Sequence, residues 1–203
     1  MNFFAIARVR IMQPMKKHVP LVVTHGLLVA WRVGAAAVAG GLSACAPALD
    51  WREVSIDGPG LSAAFPCRPV SQTRDVPLGG RATKMTLSAC EAAGVTFAVS
   101  IADVQDPSRV PAALVELRAG SLGKVTTGPA MPRQLASWSV AGATPQPQAG
   151  RWRADGTRPD GQSLSMDTAV FSRGTWVIQA SAIGDRLDES GQAPFFDGLR
   201  FAP

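Results

Sequence analysis

The chain has 203 residues and a mass of 21.2 kDa, enough for one ordinary domain and a further segment. With 46% hydrophobic and 17% charged residues, it is neither a disordered chain nor a charged tail. The net charge of +5 and the pI near 9.7 suggest a polyanionic partner until the charges are located. Arg8, Arg10, Lys16, Lys17 and Arg32 lie in residues 1–44, which hold no acid, whereas residues 45–203 carry 15 basic and 15 acidic side chains. The surplus belongs to the leader, and a neutral remainder gives no reason to expect nucleic acid as a partner.

The leader runs from positive residues into an apolar stretch, Val19 to Trp31, then past Arg32 into Val33 to Leu42. A charged start, an apolar middle and small residues before a cleavage point describe a secretory signal peptide. The tetrapeptide Leu42-Ser43-Ala44-Cys45 resembles the bacterial lipobox. That resemblance implies diacylglycerol in thioether linkage to Cys45, cleavage just before it, and acylation of the new amino terminus. Two or three chains anchor stably, because each buried CH2 contributes about 0.8 kcal/mol and one chain alone is marginal. The alternative is one transmembrane helix over residues 19–42, against which Arg32 stands at a cost of at least ~2.5 kcal/mol near the bilayer centre. Ala46, rather than an aspartate, after the cysteine implies the periplasmic face of the outer membrane if the host is Gram-negative. The expected division is therefore a signal peptide over 1–44, a lipidated tether over 45–52 and a single periplasmic α+β domain over 53–203.

Within that domain, Val54 and Ile56, the turn Asp57-Gly58-Pro59-Gly60, and Leu61, Ala63 and Phe65 predict a hairpin. A polar loop is expected next, containing Pro69, Pro77 and Gly79-Gly80. A strand follows over 82–92, with Met85, Leu87 and Ala89 on one face. After the turn at 91–94, Val95, Phe97, Val99 and Ile101 alternate with smaller residues in the clearest strand of the chain. Asp106-Pro107-Ser108 reads as a helix start, and Val110, Ala113, Leu114 and Leu117 mark one helical face before Gly120 and Gly123. Further strands are predicted over 135–140, at 151–154 with a turn at Asp155-Gly156, over 164–170 and over 176–182. About two helical turns at 193–199 and Phe201 complete the chain. Antiparallel hairpins with segregated helices define an α+β fold, a twisted antiparallel sheet flanked by two or three helices.

Residues 45–203 contain no His, Tyr or Asn. Ser-His-Asp and Cys-His nucleophile pairs and imidazole-bearing zinc sites therefore have no members there. The EF-hand and phosphate-loop patterns are missing, and the carboxylates are scattered singly. The expectation is a protein that is not an enzyme, with no catalytic, cofactor-binding or metal residues; a carboxylate-based hydrolase is the remaining enzymatic alternative. With Cys45 committed to lipid, Cys67 and Cys90 are left to form one disulfide, as an exported chain allows. A redox or metal-binding thiol pair is the other option, though no C-x-x-C spacing supports it.

Several segments resemble the PsbP-like fold family, whose bacterial members include lipoproteins. They are Leu61-Ser62-Ala63-Ala64-Phe65-Pro66-x-x-Pro69, the strand–strand–helix succession to residue 124, and Phe195-Phe196-Asp197-Gly198-Leu199. Cys67 stands where the family pattern has glycine, and Gly198 where it has a small hydroxyl residue. The resemblance covers nearly all of 51–203 and implies an antiparallel sheet with helices on both sides in an accessory or binding protein. It transfers no site residue.

The best candidate for a partner contact is Arg151-Trp152-Arg153 with Arg158 and the loop to Gly161, since Arg and Trp favour interface hot spots. The competing reading makes Trp152 a core residue on a strand whose arginines face solvent. The partner would be the membrane itself through the lipid, together with an envelope protein or a small apolar ligand. For an apolar ligand, Ala63, Ala64, Ala98, Ala102, Ala180 and Ala182 could leave room between sheet and helix.

Overall fold

The computed structural model describes residues 49–125, 132–135, 138–158 and 160–202. The leader, the lipobox and Cys45 lie outside the described residues. Among the described residues no helix is long and apolar enough to cross a membrane.

The first hairpin joins β1 (Arg52–Ile56) to β2 (Leu61–Phe65) in register from Arg52↔Phe65 to Ile56↔Leu61. Five strands follow with a helix between the third and fourth: β3 (Val70–Leu78), β4 (Arg81–Ala92), β5 (Val95–Asp103), α1 (Val110–Leu122), β6 (Arg133–Leu135) and β7 (Gly150–Thr157). β8 (Ser163–Arg173), β9 (Trp176–Gly184), α2 (Glu189–Asp197) and β10 (Arg200–Phe201) complete the order. Among the described residues, seven strands form one sheet in the order β3-β4-β5-β9-β8-β7-β6, and β1-β2-β10 form a second. Every pairing between strands is antiparallel, so the α+β class stands, with two sheets in place of one.

Layering follows from which face of each strand is apolar. On one face of the large sheet, Ala102, Val170 and Val177 meet Val110, Ala113, Leu114 and Leu117 of α1. On the other face, Phe97, Val99, Ile101, Phe171 and Ile178 meet Leu61, Ala63 and Phe65 of the small sheet and Phe195 and Phe196 of α2. The central strands are thus covered on both sides, which is why residues 166–172 of β8 are all buried rather than alternating. Helix α1 starts as read. A single 3-10 turn, Pro107–Arg109, precedes it, capped by the Asp106 carboxylate accepting from the Ser108 N–H and hydroxyl at 2.8 and 2.7 Å.

Two stretches read as loops or turns are strands. Residues 70–78, expected as a polar loop, pair along their whole length with β4, from Val70↔Ala89 to Leu78↔Arg81. Seven of these nine residues are exposed, and from Val70 to Asp75 both faces are, so no hydrophobic alternation marks them; the hairpin at Gly79-Gly80 creates the strand. Asp155-Gly156 is not a turn, because β7 continues to Thr157 and the reversal comes at Arg158–Gln162, closed by Arg158 N–H to Gln162 O at 2.8 Å. Of the strand expected over 135–140, Leu135 ends β6, residues 136–137 lie outside the described residues, and 138–140 are not strand; Trp138 packs edge-on against Phe171. At the other end the fold begins before residue 53, since Trp51 lies edge-on to Phe97 and β1 includes Arg52.

The first and last of the segments that carry the family resemblance meet in space. Phe65 and Phe195 stack edge to face at 5.5 Å. A Cβ at Gly198 would lie 2.6 Å from the Ala64 Cβ and 2.7 Å from the Pro194 carbonyl, so α2 can end against β2 only with glycine there.

Candidate functional site

Strand β7 turns its side chains alternately to the two faces of the sheet, and this splits the Arg151-Trp152-Arg153 motif. Trp152 points toward α1 and is 6% exposed, packed in the core with Arg118 of the helix lying over its ring at 5.0 Å. Arg151 points to the opposite face and is also buried. Of the four residues expected to contact a partner, Arg158 keeps 35% of its side chain exposed and Arg153 only 16%. The competing reading of Trp152 describes its environment correctly, because a one-residue step along a strand reverses the face.

Arg151 is held by a group the sequence did not signal as a unit. Its Nε and Nη2 each donate to Asp167 on β8, at 2.8 Å to the two carboxylate oxygens. Gln192 of α2 donates its amide N–H to the same carboxylate at 3.1 Å, and the guanidinium lies 3.8 Å from the centre of the Phe196 ring. Asp167 is fully buried, and the Gln192 Oε1 has no protein donor. Turning the Gln192 amide over would aim its oxygen at the carboxylate, so the present orientation is the favourable one. The register brings the four together: Arg151 pairs with Ala169, two residues along β8 from Asp167 on the same face, and α2 closes over both. The one available signal was an acidic residue, Asp167, at an inward position between Ser165 and Ala169.

Chemically this cluster is a clasp between α2 and the large sheet. A carboxylate that already accepts three hydrogen bonds and has no exposed surface cannot reach a substrate proton. A bidentate charged pair of this kind holds geometry strictly.

A charged surface is formed by the ends of β7 and β8 and the loops that follow β7 and β9. Arg153 Nη2 donates to the Leu187 carbonyl at 2.7 Å and its Nε lies 3.7 Å from Asp155. Arg158 faces Asp185 at 3.2 Å, and Ser165 donates to Asp155 at 2.6 Å. With Asp160 and Arg186 exposed beside them, this is a mixed-charge surface whose ions are partly paired, each worth little by itself in water.

The other face of the large sheet carries a chain of hydroxyls and amides under the end of α1. Gln179 donates to Ser121 at 2.6 Å and to Ser181 at 3.1 Å, and Ser181 shares a 2.9 Å hydrogen bond with Thr168. Just beyond the helix, burial lowers the Lys124 ammonium to about 8. An ammonium whose folded value sits below its free value of 10.5 binds a proton less readily in the folded chain than in the unfolded one. The charge therefore opposes folding below about pH 8, and the opposition is relieved as pH rises from about 8 toward 10.5. Denaturation midpoints measured across that window are expected to rise with pH, with a smaller slope in Lys124→Met.

Cys67 and Cys90 are joined in a disulfide, so neither is a free thiol. Among the described residues no three His, Cys, Asp or Glu side chains are grouped closely enough to hold a metal ion. Of the small residues considered for an apolar ligand, Ala63, Ala180 and Ala182 lie in the core with the phenylalanines, and Ala102 lies against α1. No protein-family model matches the chain, and no curated protein aligns with it significantly.

Proposed function

We propose that the chain is a lipid-anchored bacterial envelope protein, acylated at Cys45, whose PsbP-like domain serves as a non-catalytic binding or accessory module. The observation that carries this reading is Leu42-Ser43-Ala44-Cys45 standing directly before a domain whose other two cysteines are paired with each other. Disulfides persist in oxidising compartments such as the periplasm, and Cys45 is the cysteine left over for lipid. Balanced charge over 45–203 suits a domain held at the periplasmic face of the outer membrane by acyl chains rather than by basic residues. The PsbP-like assignment is supported by an antiparallel sheet bearing α1 on one face and α2 on the other, and by the contact between Phe65 and Phe195 of its two motifs. The non-catalytic reading is supported by the absence of histidine from 45–203 and by the sequestration of Asp167. For the partner, the favoured surface is the mixed-charge loop pair around Arg153, Arg158 and Asp185, which would recognise a polar protein surface.

Growth of a Gram-negative host expressing the full chain with an alkyne-bearing palmitate tests the anchor. The chain is expected to take up label and fractionate with membranes, and Cys45→Ser to take up none. Label retained by Cys45→Ser would refute lipidation at this residue.

A further inference from the structure

Strand β3 ends the seven-stranded sheet and, among the described strands, pairs with β4 alone. Its hairpin has a two-residue loop, Gly79-Gly80, with φ of 58° and 79°, the positive values that a type I′ turn requires. In such a hairpin the flanking pair, Leu78↔Arg81, exchanges both backbone hydrogen bonds, and every second pair after it does the same. Val76, Arg74, Gln72 and Val70 therefore spend their N–H and C=O groups on β4. Asp75, Thr73 and Ser71 turn theirs outward, to the free edge.

Pro77 and Pro69 fall in the same outward series, where a missing N–H costs the β4 ladder nothing. They stand four residues to either side of Thr73, so a free edge of seven residues, 70–76, is bracketed symmetrically. The edge is also held at both ends. At the turn, Arg109 donates to the carbonyls of Gly79 and Leu78 at 2.9 and 2.7 Å, and Glu116 accepts from the Gly79 N–H at 2.8 Å. Near the other end, the Cys67–Cys90 disulfide ties the approach to β3 onto β4. A rigid edge loses little conformational freedom when it is paired.

We propose that this edge is a self-association surface, on which β3 of a second copy pairs antiparallel about a two-fold axis at Thr73. In that register Thr73 faces Thr73 of the second copy, and Ser71 faces its Asp75 in both directions. All outward donors and acceptors between the prolines are used. A shift of two residues in either direction sets a proline against one of them, so the symmetric register satisfies the most groups. It also places Val70, which is 70% exposed, against Val76 of the second copy, and Gln72 against Arg74, so that no like charges are opposed. An unrelated extended peptide would satisfy the backbone equally, but it would not explain why the prolines are equidistant from one residue. Pairing one strand buries less than the roughly 1,200 Å² of a standard interface, so the association is weak and concentration-dependent in solution.

Thiol oxidation of the full chain in detergent micelles tests the register. Directly opposed residues of a hydrogen-bonded pair have Cα atoms about 5.5 Å apart, within the range a disulfide spans. Thr73→Cys is expected to give a crosslinked band at twice the monomer mass above the background of the unsubstituted chain, which carries Cys45. Ser71→Cys and Asp75→Cys are each expected to give none alone, but a crosslink when mixed. Lys84→Cys, on β4, serves as the negative control. Thr73→Pro removes the central outward N–H without touching the β4 ladder. Added to Ser71→Cys and Asp75→Cys, it is expected to abolish their mixed crosslink while circular dichroism stays unchanged. The proposal is overturned if Thr73→Cys remains monomeric, if Lys84→Cys crosslinks equally, or if the mixed crosslink survives Thr73→Pro. Crosslinking of Thr73→Cys only to a different host protein would likewise overturn it, in favour of a heterologous strand.

Discussion

Asp167→Ala is expected to lower the stability of the domain by about 3–5 kcal/mol, the cost of leaving a buried guanidinium without its counter-charge. The magnitude rests on the surroundings of Arg151. Its side chain is 11% exposed, both of its bonds to carboxylate end on Asp167, and the remaining neighbour is the face of the Phe196 ring. A ring face attracts a cation but cannot accept the in-plane N–H bonds that the carboxylate takes. Gln192 also loses the acceptor of its amide N–H. Chemical denaturation measures the loss. The double substitution Arg151→Met with Asp167→Leu separates a paired-charge effect from simple loss of packing. Replacing both ions by apolar groups of similar volume removes the desolvation cost together with the attraction, so most of the stability is expected to return. Equal losses in the single and double variants would mean that the clasp matters through shape alone. Because Gln192 and Phe196 belong to α2, the single variant is also expected to loosen that helix first, seen as faster amide exchange in 189–197 than in β9.

The second large effect is expected from the disulfide. Cys67 and Cys90 are separated by 23 residues, and closing a loop of that length stabilises the folded state by roughly 3 kcal/mol in the chain-entropy model. The loop contains all of β3 and most of β4, the two strands that extend beyond the cover of the smaller sheet and α2. Without the link, their pairing leans on the Gly79-Gly80 turn and on cross-strand contacts such as the exposed Thr73–Thr86 pair and the part-buried Ser71–Ser88 pair, each at 2.8 Å. Cys67→Ser with Cys90→Ser is therefore expected to lower the denaturation midpoint and to raise protease cleavage within 70–90 before the rest of the domain opens. Reduction of the unsubstituted chain should reproduce both effects. If cleavage begins elsewhere, the disulfide is not what secures the hairpin.

Legibility in the sequence followed the physics of burial. β5, β9 and helix α1 are legible because each hides apolar side chains at a fixed period, and β8 because Leu164, Met166 and Val170 alternate even though both of its faces are covered. β3 reads as a loop because both of its faces meet water from Val70 to Asp75, so pairing leaves no pattern there. Asp155-Gly156 looked like a turn because the dipeptide favours one, yet the ladder with β8 runs through it to Thr157. Local preference yielded there to eight consecutive cross-strand pairs.

The contact motif at 151–153 shows the same boundary at the level of a site. Composition singles out Arg and Trp as interface residues, but a strand sends neighbours to opposite faces, and what covers each face is contributed from far along the chain. Helix α1 buries Trp152, and α2 with β8 buries Arg151. Of the sequence-based expectations, the α+β class, the antiparallel hairpins and the cysteine pair rest on local periodicity and on simple counting, and the structure contains all three. The clasp of Asp167, Gln192 and Phe196, the division into two sheets and the free edge of β3 depend on which strands become neighbours. That choice is made by the sum of weak contacts between distant segments, so only the tertiary structure decided it.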